Sequence, residues 1–143
     1  MIVPDKYKWL RGAIIFFALG SMILVYVFQR RWFWFQDIHA INQFQYLPFV
    51  LNRLIRLTLN DSLCLIVFMA IFNSKKEVKL ASLIFAIELF VMLPFYFLLK
   101  LSLEGDSEIS SPLLSFIHRL IVNPLLMMIL LMGLLYQRYR TKN

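Results

Sequence analysis

Apolar side chains fall in four blocks along the chain, and polar ones collect between the blocks and at a few interior positions. From Gly12 to Phe28 the run is almost wholly apolar and closes at Gln29-Arg30-Arg31. A second block follows Pro48 and ends at Phe72, before Asn73-Ser74-Lys75-Lys76. Leu80–Leu99 and Leu113–Tyr136 complete the set. A bilayer core of ~30 Å takes about 20 helical residues. The pattern predicts an all-α, polytopic membrane protein with four transmembrane helices, over about residues 11–28, 50–72, 80–99 and 113–136. A single membrane domain, 1–143, is expected.

The start, with Lys6, Lys8 and Arg11, invites a signal-peptide reading. A cleavable apolar region is ~7–15 residues and is followed by small residues. Here the run is longer and ends in Arg-Arg-Trp-Phe-Trp-Phe, which marks a retained span. Trp32-Phe33-Trp34-Phe35, then Phe44, Tyr46 and Phe49, alternate with Gln36, Asp37, His39, Asn42, Gln43 and Gln45. Rings with polar neighbours settle at headgroup depth. Residues 31–46 are therefore expected along the outer interface between the first two spans, or as a docking surface for another membrane protein.

Composition supports the membrane reading. The chain is 61% hydrophobic and 16% charged, against roughly 45–50% and about 25% in soluble domains; mean hydropathy is +0.73. The net charge of +7 suggests nucleic acid at first sight. In so apolar a chain it is better explained by the Lys and Arg that hold cytoplasmic loops in place, and no nucleic-acid partner is expected. Lys6, Lys8, Arg11, Lys75, Lys76, Lys79, Arg138, Arg140 and Lys142 share one side if there are four spans. Both termini are then cytoplasmic. The acidic stretch Glu104-Gly105-Asp106-Ser107-Glu108 faces out.

That orientation brings the polar ends of the second and fourth spans into the same, outer, leaflet. Arg53, Arg56 and Asn60 lie within about 60° of one another on a helix. Asn60 and Asp61 fall about 10 Å inside the boundary, counted back from Phe72. Asn123 falls at a similar depth, on a face shared with Ser115 and Arg119, and Pro124 frees the carbonyl of Leu120. Arg53, Arg56, Asn60, Asp61, His118, Arg119 and Asn123 are thus expected to form a polar intramembrane layer. In it Asp61 would neutralise an arginine, and the excess positive charge would attract a phospholipid headgroup or another anion. The bland alternative is a self-satisfied network that fixes helix packing. Glu88, near the middle of the third span, is expected as a hydrogen-bonding helix contact, with a proton relay as the functional alternative.

Catalytic signatures are missing. The four glycines form no phosphate loop, and neither HExxH nor Gly-x-Ser-x-Gly occurs. Cys64 sits among apolar residues as a small packing group, and one cysteine excludes an internal disulfide. His39 and His118, without grouped carboxylates, make a poor metal site. No catalytic residue, metal or cofactor is assigned. A membrane enzyme using His118 as base ranks behind the binding readings.

Arg56-Leu57-Thr58-Leu59-Asn60-Asp61, together with Arg119-Leu120-Ile121-Val122-Asn123-Pro124-Leu125-Leu126 and the closing Tyr136-Gln137, resembles the exosortase F system-associated proteins. These are small bacterial inner-membrane proteins. The resemblance implies a multi-pass protein of that membrane, partnered with a larger integral membrane protein, an exosortase, that cleaves and sorts C-terminally anchored proteins. It implies an accessory role and no activity of its own. Exosortases use a cysteine, an arginine and a histidine, but Cys64 lacks a small-residue neighbourhood like theirs, and that chemistry is not carried over.

Overall fold

In the computed structural model, residues 8–28, 46–72, 74–105 and 111–141 are described. They form five helices: α1 Lys8–Phe28, α2 Leu47–Phe72, α3 Lys75–Leu103, α4 Pro112–Val122 and α5 Leu125–Arg140. The first three are long and apolar enough to cross a membrane; α4 and α5 qualify together, bent by 57° at the break between them. The described residues are therefore all-α, with three helices of membrane-spanning length and apolarity, or four when the bent pair is counted as one. Most of the interfacial segment expected over 31–46 lies outside the described residues.

Helix α2, at 26 residues, is about 39 Å long at 1.5 Å per residue, enough for the bilayer core and both headgroup edges. Pro48 sits in its first turn, where a missing N–H costs nothing. Thr58 satisfies its hydroxyl within the helix by donating to the Leu54 carbonyl at 2.8 Å. Helix α2 is the hub: α1, α3, α4 and α5 all pack against it. At its C-terminal end the guanidinium of Arg138 on α5 donates to the carbonyl of Ile71 at 3.4 Å, covering a helix-terminal acceptor.

Two apolar clusters lie along the hub. One joins Cys64, Phe68, Phe72, Ala81 and Met127, with Phe68 and Phe72 stacked at 5.6 Å. The other joins Leu57, Leu93, Tyr96 and Ile121. Between them along α2 come Asn60 and Asp61, and between them along α3 comes Glu88.

Helix α3 carries a π turn over Glu88–Met92, in which the N–H of Leu93 reaches the carbonyl of Glu88. The cause is in the sequence: Pro94 has no N–H for the carbonyl of Phe90 and its ring crowds that oxygen, so the turn opens. The turn absorbs one residue, worth about 100° of rotation. Without it Glu88 and Tyr96 would stand about 80° apart on the helix. With it Ala81, Glu88, Leu93, Tyr96 and Lys100 make one continuous buried seam. The α3 end is closed by Gly105 in the left-handed region, φ 68°, the usual way to stop a helix.

The expected unbroken fourth span over 113–136 needs correction. Pro124 cannot donate to Leu120, and the chain leaves the helix at Asn123, whose φ and ψ are −91° and 145°. The N–H of Leu125 then turns back to the Asn123 carbonyl at 2.7 Å, with Pro124 at φ −75° and ψ 45° between them. This is an inverse γ-turn, and α5 restarts from it.

Candidate polar site within the helix bundle

The polar residues of α2 point to three different neighbours. Arg53 turns back towards the helix start. Its guanidinium donates to the Phe49 carbonyl at 3.3 Å and lies 3.4 Å from the centre of the Phe49 ring. Phe49 in turn meets Phe97 of α3, ring centres 6.2 Å apart. Arg56 is half-buried, with Arg53 and Tyr96 in its electrostatic neighbourhood.

Asn60 reaches α4. Its side-chain amide donates to the main-chain carbonyl of Val122 at 3.2 Å, and it is 6% exposed. The second and fourth elements therefore meet in the polar layer. The acceptor is Val122, one residue before Asn123, where the sequence pointed to the carbonyl of Leu120. The last-turn carbonyls lose their intrahelical donors once α4 ends, and Val122 is the one turned towards α2. Asn123 is half-buried at the break and serves the turn through its own carbonyl.

Asp61 reaches α3. Its carboxyl and that of Glu88 are close enough to act on one another, and the two residues are 1% and 0% exposed. Among the described residues no group donates a hydrogen bond to any of the four carboxyl oxygens. The expected ion pair of Asp61 with an arginine is not formed among the described residues. Asp61 lies about 140° round the helix from Arg56 and about 7.5 Å further along it, and Arg119, the arginine across the gap, is exposed on α4. Glu88, expected only as a separate mid-span contact, is the partner instead.

His118 on α4 packs its ring against Tyr96, centroids 5.5 Å apart. Among the described residues the charges that bear on its imidazole are cationic: Arg53, Arg56, Lys100 and Arg119. Three helices thus deliver positive charge to one end of the bundle. Arg119 itself is exposed, on the outer side of α4, rather than inside the layer.

Lys100 was not singled out by sequence pattern, yet it is fully buried. Its ammonium pairs with Glu104 at 2.6 Å, and the other oxygen of Glu104 accepts the N–H of Ser111 at 2.7 Å. One carboxylate thereby clamps the end of α3 to the start of α4. The Lys100 hydrogen bond and then the Ser111 N–H hold the Glu104 carboxyl at about 2, below its ordinary value. The signal available in the sequence was the i, i+4 spacing of Tyr96, Lys100 and Glu104.

Cys64 is buried in the apolar cluster one turn from Asn60. Among the described residues no group of three or more His, Cys, Asp or Glu side chains is arranged to hold a metal ion. No family model, no curated protein and no solved structure matches this chain.

Proposed function

We propose that this chain is a non-enzymatic accessory protein of the bacterial inner membrane that docks a larger integral membrane protein, an exosortase-type sorting transpeptidase, with both termini in the cytoplasm. One observation supports the reading most. The two stretches that carry the resemblance, Arg56–Asp61 and Arg119–Leu126, lie 62 residues apart at their point of contact and are joined by the Asn60–Val122 bond. The shared motif is thus one three-dimensional unit, as a docking or scaffold element requires. Affinity purification of the tagged full chain in mild detergent, followed by mass spectrometry, tests it. Recovery of a sorting protease in amounts comparable to the bait supports the reading, and recovery of the bait alone refutes it.

The sidedness is tested separately in a Cys64→Ala background. A membrane-impermeant thiol reagent added to intact cells should label Ser107→Cys and spare Ser74→Cys. The reverse pattern inverts the topology.

A second reading is favoured by the cations gathered round His118. They suit an anionic group at headgroup depth, such as a phospholipid phosphate or a polyisoprenyl phosphate. A lipid handler of this kind binds lipid without a partner. Native mass spectrometry of the purified protein with anionic and zwitterionic lipids separates the two readings.

A further inference from the structure

The Asp61–Glu88 pair is the feature that neither reading uses. Two carboxyls, each more than nine-tenths buried, face one another between two apolar clusters. Neither receives a hydrogen bond from any other group among the described residues. As two carboxylates they would repel and leave every oxygen without a donor, which is among the costliest arrangements a membrane interior can hold. One proton removes a charge and supplies the missing donor, turning the pair into a single hydrogen-bonded unit.

We propose that Asp61 and Glu88 together form a binding site for one proton inside the membrane, shared between α2 and α3. The surroundings fit a proton better than a metal cation. Among the described residues Cys64 on α2 is a titratable group that interacts with both members of the pair. On α1 the stretch from Gly12 to Val25 has no titratable side chain, and on α5 neither has Leu125–Leu135. On α4 the titratable groups are His118 and Arg119, and these belong to the cationic end with Arg53, Arg56 and Lys100. On α3, Lys100 and Glu104 are engaged with one another three turns beyond Glu88. Among the described residues no third His, Cys, Asp or Glu side chain joins the pair to make a metal-binding group. The site also sits at the π turn, since Glu88 supplies the carbonyl that closes it, and such widened turns recur at functional positions. Gain or loss of the proton changes the charge between the two helices at that point.

Dicyclohexylcarbodiimide tests this, because it dissolves in the bilayer and reacts with protonated carboxyls. The purified full chain in liposomes should take up one adduct, mapped by peptide mass spectrometry to Asp61 or Glu88. Labelling should disappear as the pH is raised and be unchanged by sodium or potassium chloride. Infrared spectra of the same wild-type liposomes should show a protonated carboxyl band at neutral pH. The Asp61→Asn, Glu88→Gln double variant should lose both signals. Protection by either salt would make this a metal-cation site and overturn the proposal. Absence of both adduct and band in the wild type would overturn it as well, whether or not the variant folds.

Discussion

The side-chain amide of Asn60 donates to the main-chain carbonyl of Val122 at 3.2 Å, tying the middle of α2 to the broken end of α4. Such bonds between membrane helices are modest, so Asn60→Ala should cost about 0.6 kcal/mol. Asn60→Asp should cost more, because it sets an acceptor against an acceptor. Reversible unfolding in mixed micelles measures both.

Leu57 and Ile121 belong to the same apolar cluster, one on each side of that bond. In a Cys64→Ala background, cysteines at these two positions should crosslink under mild oxidation. A control pair on the outward faces, Leu59 with Arg119, should not.

Replacement of Asp61 should depend on what replaces it. Asparagine offers an N–H to the Glu88 carboxyl and should be tolerated. Leucine leaves Glu88 buried alone and should cost about 2 kcal/mol, the order of an unmet polar group. Thermal stability of the two variants in one detergent compares them directly.

Glu104 should give the fold an acid-sensitive clamp. Its carboxyl is held down to about 2 from an ordinary 4.5, by Lys100 first and the Ser111 N–H second. Because the folded value is the lower one, the clamp is fully present above 4.5 and is lost as the pH falls towards about 2. Melting curves over that window should show the loss in the wild type, and Glu104→Gln should flatten it.

Cys64 should behave as packing. Its burial predicts slow reaction with maleimides until the protein is unfolded. Cys64→Ala should leave partner binding intact at a cost of about 1 kcal/mol or less.

The helical, multi-span character was legible because apolar runs of membrane length leave few alternatives. The meeting of α2 with α4 was legible from matched depth, which needs only the rise per residue. The partner of Asp61 was not. Depth places a residue along a helix, whereas partner choice depends on which neighbour stands on each side, and Asn60 and Asp61 differ by about 100° in direction. The break at Asn123 was half legible: Pro124 marked a lost hydrogen bond, but a proline in a membrane helix is compatible with a kink as well as a full interruption. Lys100 was overlooked because a lysine near a span end ordinarily reaches for water, while here the α3 seam turns it inward onto Glu104.

The π turn of α3 has an evolutionary reading. A helix that gains one residue keeps its old contacts on both sides of the insertion only if a widened turn absorbs it. The spacings along the seam, seven residues from Ala81 to Glu88 and eight from Glu88 to Tyr96, are those of a heptad lengthened by one. A related chain one residue shorter between Glu88 and Leu93 would bury the same side chains on a plain α-helix. Aligned without a gap, the two would mispair every contact from Leu93 to Lys100, and their kinship would be visible in three dimensions before it was visible in the letters.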